Sequence, residues 1–171
     1  MDSAIQAHFA RSFRARLYLR VANSTVPLRL SRSSDKFSWG VTPEDDWLQA
    51  GGRQDSPLMD FHYFSATDDR LHYHITVPGR PQTKTLGVSR NGYLGFYWHA
   101  EVTDPWKIEP LRQTDEGLVC HLRDHRGYRV GALKANPHHS GGWGAVLNVE
   151  EGDGDTLLPR PGHRKRARVG T

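Results

Sequence analysis

The densest set of chemistry-bearing residues lies between positions 124 and 143. Asp124, His125, Tyr128, Asn136, His138, His139 and Trp143 all fall inside that span. These are the types that hold a sugar ring. A flat aromatic face stacks on the apolar side of the ring, and carboxylate, amide and imidazole groups take its hydroxyls. A second aromatic group, Tyr93, Phe96, Tyr97, Trp98 and Trp106, precedes it. On a strand, Phe96 and Trp98 share one face and Tyr97 takes the other. One face then packs the core and the other is available to a ligand. Core packing alone is the competing explanation, because aromatic side chains dominate protein cores.

Ten histidines raise metal binding as a second chemistry. His72 and His74 are two apart and project from one face of a strand. His121 is the third candidate ligand. Such a donor set, found in cupin-like barrels, suits iron, manganese or zinc. The residues from Ile75 to Arg80 supply no glutamate, and no cysteine pair or His-Glu-x-x-His element occurs. The bland alternative is a set of solvent-facing strand histidines.

Catalysis finds less support. There is no Gly-x-Ser-x-Gly elbow and no glycine-rich phosphate loop before a helix. Cys120 adjoins His121, but neighbours on a strand point to opposite faces. Cys120 reads as a small buried residue, and a single cysteine builds no internal disulfide. The carboxylate pairs Asp45/Asp46, Asp68/Asp69 and Glu150/Glu151 sit in turn-like segments. The pattern names no catalytic residue and no cofactor, and it points to binding.

The elements that must position these groups are strands. Leu17-Tyr18-Leu19-Arg20-Val21, Leu71-His72-Tyr73-His74-Ile75 and Leu118-Val119-Cys120-His121-Leu122 begin at intervals of 54 and 47 residues. Each is followed by a second apolar strand across a polar or Gly/Pro turn. A repeat of that length implies units that bury their apolar faces only together. Arg90-Asn91-Gly92-Tyr93 predicts a tight hairpin between 85–89 and 93–98, since Asn-Gly accepts positive φ. His125-Arg126-Gly127 predicts another. Ser38-Trp39-Gly40, Tyr93–Phe96 and Gly142-Trp143-Gly144 read as third strands. Residues 60–63, 106–109 and 147–150 read as fourth strands. The chain is expected to be all-β, with about twelve short strands and a short N-terminal helix.

Composition bounds the rest. The 171 residues are 36% hydrophobic, enough for one domain with a modest core. Net charge is +4, and five of the cations lie between Arg160 and Thr171, so the body alone carries −1. The basic character belongs to a tail, and a nucleic-acid face is not expected beyond weak tail contacts. Three parts are expected: an amphipathic segment at 1–16, an all-β domain at 17–152, and a basic, disordered tail at 153–171. In the first part Ile5, Phe9 and Phe13 form an apolar stripe. No signal peptide or membrane span is legible, which fits a cytoplasmic protein or one released without a classical signal.

Four strands repeated three times resembles a β-trefoil, the fold of ricin-type lectins, fascins and fungal trefoil inhibitors. The segments Lys84–Leu94 and Trp106–Ala132 carry the likeness most closely. The Gln-x-Trp element of ricin-type lectins is absent. This resemblance implies recognition of a carbohydrate or glycoconjugate. Val21 to Thr25, Leu28-Arg29-Leu30, Trp39-Gly40 and Ala50-Gly51-Gly52 are also similar to the opening of aegerolysin- and actinoporin-like β-sandwiches. That resemblance implies a membrane-lipid-binding, pore-forming protein whose N-terminal stripe meets lipid. The leading expectation is lectin-like binding. Lipid binding is the alternative, and a histidine-metal barrel enzyme comes after it.

Overall fold

A computed structural model describes residues 1–21, 24–31, 46–51, 55–78, 82–90, 92–98, 103–133, 145–149 and 156–162. It contains a helix, α1 (Ser3–Phe9), and twelve strands. These are β1 (Phe13–Val21), β2 (Ser24–Leu30), β3 (Leu48–Ala50), β4 (Met59–Ala66), β5 (Leu71–Val77) and β6 (Lys84–Val88). They continue with β7 (Leu94–Trp98), β8 (Trp106–Gln113), β9 (Leu118–Arg123), β10 (Gly131–Ala132), β11 (Ala145–Asn148) and β12 (Leu157–Pro161). The expected all-β class holds.

The long strands form because apolar residues alternate with polar ones, which gives each strand one buried face. In β5, Leu71, Tyr73 and Ile75 are fully buried while His72 and His74 stay half-exposed. In β8, Trp106 and Ile108 point inward and Lys107 and Glu109 outward. In β9, Leu118, Cys120 and Leu122 point inward and His121 and Arg123 outward.

Six of these strands close a barrel. Its order is β1–β4–β5–β8–β9–β12 and back to β1, antiparallel throughout. Closure leaves the barrel no free edge. The remaining strands form pairs β2–β3, β6–β7 and β10–β11. The pairing therefore repeats every four strands, and the three leucines of the sequence repeat lie on β1, β5 and β9. Where the pairs meet, β3 joins β11, and bridges tie Trp47 to Gly95 and Tyr93 to Asn148. A Cβ on Gly95 would lie 3.0 Å from the Tyr97 hydroxyl and 3.2 Å from the Trp47 ring, so any side chain there would crowd both rings.

The sequence reading needs correction at three places. The fourth strand of the last repeat is β12 at Leu157–Pro161, and residues 147–148 belong to the third strand, β11. The domain thus runs past 152, because β12 fills the gap between β1 and β9. The third strand of the first repeat is β3 at Leu48–Ala50. Ser38-Trp39-Gly40 and residues 163–171 lie outside the described residues.

The third correction concerns the N-terminal stripe. Asp2 caps α1 by accepting the Ala4 amide at 2.7 Å. Ile5 and Phe9 are then only 6% and 3% exposed, inside the barrel core. Phe13 stacks on Phe61 with centroids 4.8 Å apart, and Tyr73 meets both edge-on. The Tyr73 hydroxyl donates to the Phe9 carbonyl. The stripe packs the protein's own core and is not presented to lipid. Among the described residues no helix is long and apolar enough to cross a membrane.

Candidate functional site

The link between β9 and β10 is a turn built by Asp124. This carboxylate is 1% exposed. Its Oδ1 accepts the amides of Arg126 at 3.0 Å and Tyr128 at 2.9 Å. Its Oδ2 accepts Arg126 Nε at 3.0 Å. Gly127 completes the turn at φ +94°, a conformation only glycine adopts without strain. Asp124 is thus fully committed to shaping its own loop. The predicted 125–127 turn is present, as is the pairing of 84–88 with 94–98 around Gly92 at φ +81°.

This turn forms one wall of an open cleft of about 390 Å³. The β6–β7 hairpin forms the opposite wall with Ser89, Arg90 and Tyr97. Asp104 and His125 share its rim, with His125 Nδ1 3.8 Å from Asp104 Oδ2. Trp106 lines its base and is pinned there by an Nε1 hydrogen bond of 2.8 Å to the Leu86 carbonyl. Aromatic surface, hydroxyl, guanidinium, carboxylate and imidazole therefore converge on one open volume.

The predicted binding set divides on inspection. Asp124 and His125 reach the cleft. Tyr128 is 54% exposed on the same turn, but the Arg126 guanidinium sits 4.7 Å over its ring. Asn136, His138, His139 and Trp143 lie outside the described residues. Phe96 is a core residue, and Trp98 ends its strand half-exposed beneath the Lys84 ammonium. Ser89, Arg90 and Asp104 were not legible as a set, since the hairpin and the segment before β8 meet only in the fold.

The histidines do not converge. His72 and His74 share the outer face of β5, as expected. His72 Nδ1 lies 3.0 Å from the Ser65 hydroxyl. The His74 ring meets Phe64 edge-on. His121 stands opposite Glu109, with β8 between it and β5. Among the described residues no three histidine, cysteine or acidic side chains are placed to hold a metal ion. Burial lowers the His72 pKa, and the Lys107 charge lowers it further. A cation beside His72 would oppose a metal as it opposes a proton.

Glu109 gathers three guanidinium groups around its carboxylate. Its Oε2 accepts Arg70 Nη2 at 2.7 Å and Arg123 Nη2 at 2.6 Å. Arg129 Nη2 approaches Oε1 at 3.6 Å. Burial by itself would raise the Glu109 pKa. The Arg123 hydrogen bond and the three guanidinium charges outweigh it and hold the carboxyl below its ordinary range. Of the paired acids, Asp69 binds Arg70 at 3.0 Å and Asp46 binds Lys84. Cys120 is buried, and its Sγ lies 3.7 Å from the Leu157 carbonyl. Burial pushes its thiol far above the usual range.

Comparison with family models, with curated proteins and with solved structures gives no match, so the residues carry the argument alone.

Proposed function

We propose that this chain is a β-trefoil that binds a carbohydrate without catalysis, in the cleft between the β6–β7 hairpin and the Asp124 turn. The repeat of the pairing every four strands supports the fold assignment. So does the arrangement of six barrel strands with three outlying pairs.

One observation carries the functional reading. An open cleft of about 390 Å³ sets the half-buried Tyr97 ring, with Trp106 at its base, beside Ser89, Arg90, Asp104 and His125. A saccharide needs an apolar surface for its ring face and several donors and acceptors for its hydroxyls. Asp124 and Gly127 act as positioning residues that hold His125 at the rim.

A glycan array tests this with the full-length protein beside Asp104→Ala and Ser89→Ala. Binding to a defined glycan family is expected, with a loss of about tenfold in either variant. That is the scale of one or two hydrogen bonds. Unchanged melting temperatures would show that the fold is intact. A blank array, or binding indifferent to both substitutions, overturns the reading.

A further inference from the structure

The outer face of the barrel carries a row of basic groups that the acids among the described residues do not balance. His72 on β5 stands opposite Lys107 on β8. Lys107 stands opposite Arg123 on β9, and Arg123 bridges to Arg129 just past the turn. Neighbouring strands are about 4.8 Å apart, so the row runs about 14 Å across the sheet. Like charges directly opposite one another destabilise a sheet. Here two such oppositions follow in succession, and Arg70 adds a further cation from the loop before β5.

Glu109 and the exposed Asp69 are the carboxylates that answer them. Among the described residues, four permanent cations (Arg70, Lys107, Arg123 and Arg129) against these acids leave two positive charges in excess. The four differ in how far they are committed. Arg123 is fixed, with Nε on Glu109 at 2.8 Å and Nη1 on the Gly127 carbonyl at 2.7 Å. Arg129 is 45% exposed and comes no closer than 3.6 Å to Glu109. Lys107 has no carboxylate partner among the described residues. Arg129 and Lys107 thus flank a half-buried, hydrogen-bonded guanidinium and keep donors for something else. Such an array suits a tetrahedral oxyanion, which takes charge-assisted hydrogen bonds from several directions.

We infer that this row is an anion site, and that it takes a sulfate or phosphate ester carried by a glycan whose ring lies in the adjoining cleft. This rests on the carbohydrate reading and narrows its ligand class. The two sites share one piece of chain: His125 lines the cleft, and Arg123 and Arg129 form the stem of the same turn. A nucleic-acid strand fits less well. Asp104 is 62% exposed at the cleft and would meet a continuous phosphodiester backbone. The nearby exposed ring, Tyr128, is already covered by Arg126, which removes a platform for base stacking.

The test uses the full-length protein against a sulfated glycosaminoglycan fragment and the same fragment chemically desulfated. The sulfated fragment is expected to bind at least about tenfold tighter, on the strength of charge-assisted hydrogen bonds. The double variant Lys107→Gln/Arg129→Gln is expected to lose most of that preference. Glu109→Gln removes the competing carboxylate and is expected to bind the sulfated fragment more tightly, an effect that general damage to the fold would not produce. Equal binding of both fragments overturns the inference and leaves the carbohydrate reading standing. Failure of every glycan, sulfated or not, overturns that reading itself. A variant with Arg164, Lys165, Arg166 and Arg168 changed to Gln guards against the tail. If it loses the preference while the Lys107/Arg129 variant keeps it, the inference fails. Equally tight binding of single-stranded DNA or of anionic phosphatidylserine vesicles also overturns it.

Discussion

Asp46 and Lys84 form an ion pair that ties the chain entering β3 to the start of β6, across 38 residues of sequence. Asp46 is only 10% exposed and sits at φ +66°, which few residues other than Asn, Asp and Gly tolerate. Its carbonyl accepts the Phe96 amide at 2.9 Å, so one residue joins β3, β6 and β7. Lys84→Met removes the cation from a largely buried carboxylate. The expected cost is about 2 kcal/mol, below the ~3–5 of a fully buried pair because Lys84 is partly solvated. Asp46→Asn should cost less than Asp46→Val, since Asn accepts the positive φ. Urea unfolding of the three variants checks both statements.

Phe9 tests whether the N-terminal helix belongs to the barrel. Its ring is buried, and it lies edge-on to Phe13 at 5.7 Å. Phe9→Ala should cost about 3 kcal/mol, the usual penalty for emptying an aromatic core position. Met1→Ala, at an exposed site, should cost little. Equal melting temperatures for Phe9→Ala and the parent would contradict the packing described above.

Gly117 lies where β8 turns into β9, and a Cβ there would stand 2.2 Å from the Pro159 carbonyl oxygen of β12. The near atoms are all backbone of Pro159 and Arg160, which cannot swing away as a side chain would. Gly117→Ala is expected to destabilise by about 2–3 kcal/mol through overpacking. Gly127→Ala meets open space, so its cost comes from the positive φ alone and should be smaller. Thermal melts of the two variants rank them.

Acid should weaken the fold in two stages. The folded pKa of His72 lies below its ordinary 6.5, chiefly through burial and then through Lys107. The unfolded chain therefore takes up that proton first, and stability falls as pH drops below about 6.5. Glu109, held below its ordinary 4.5, adds a second loss at lower pH as its carboxyl is protonated. The upper stage should vanish in His72→Gln and the lower one shrink in Glu109→Gln. Denaturant midpoints measured from pH 7.5 to 3.5 would show it, and a stage that survives its substitution would refute that assignment.

Much of the architecture is written locally. Leu17, Leu71 and Leu118 fall on strands because alternation by itself creates one apolar face, whatever the strand's eventual partner. Gly92 and Gly127 mark their turns because each needs a φ that other residues resist. The burial of Cys120 follows from its place among inward-facing Leu118 and Leu122. Tertiary structure decided the rest, and the reason is register. Leu157-Leu158-Pro159 is too short an apolar run to announce a strand, and it becomes β12 only between β1 and β9. The row His72, Lys107, Arg123 and Arg129 comes from three separate segments and exists only through cross-strand pairing. The cleft is decided in the same way. His125 and Asp104 each look like ordinary loop residues until closure of the barrel sets two loops side by side. Period and turn chemistry act over a few residues, while a site is made by pairings that only the closed barrel imposes.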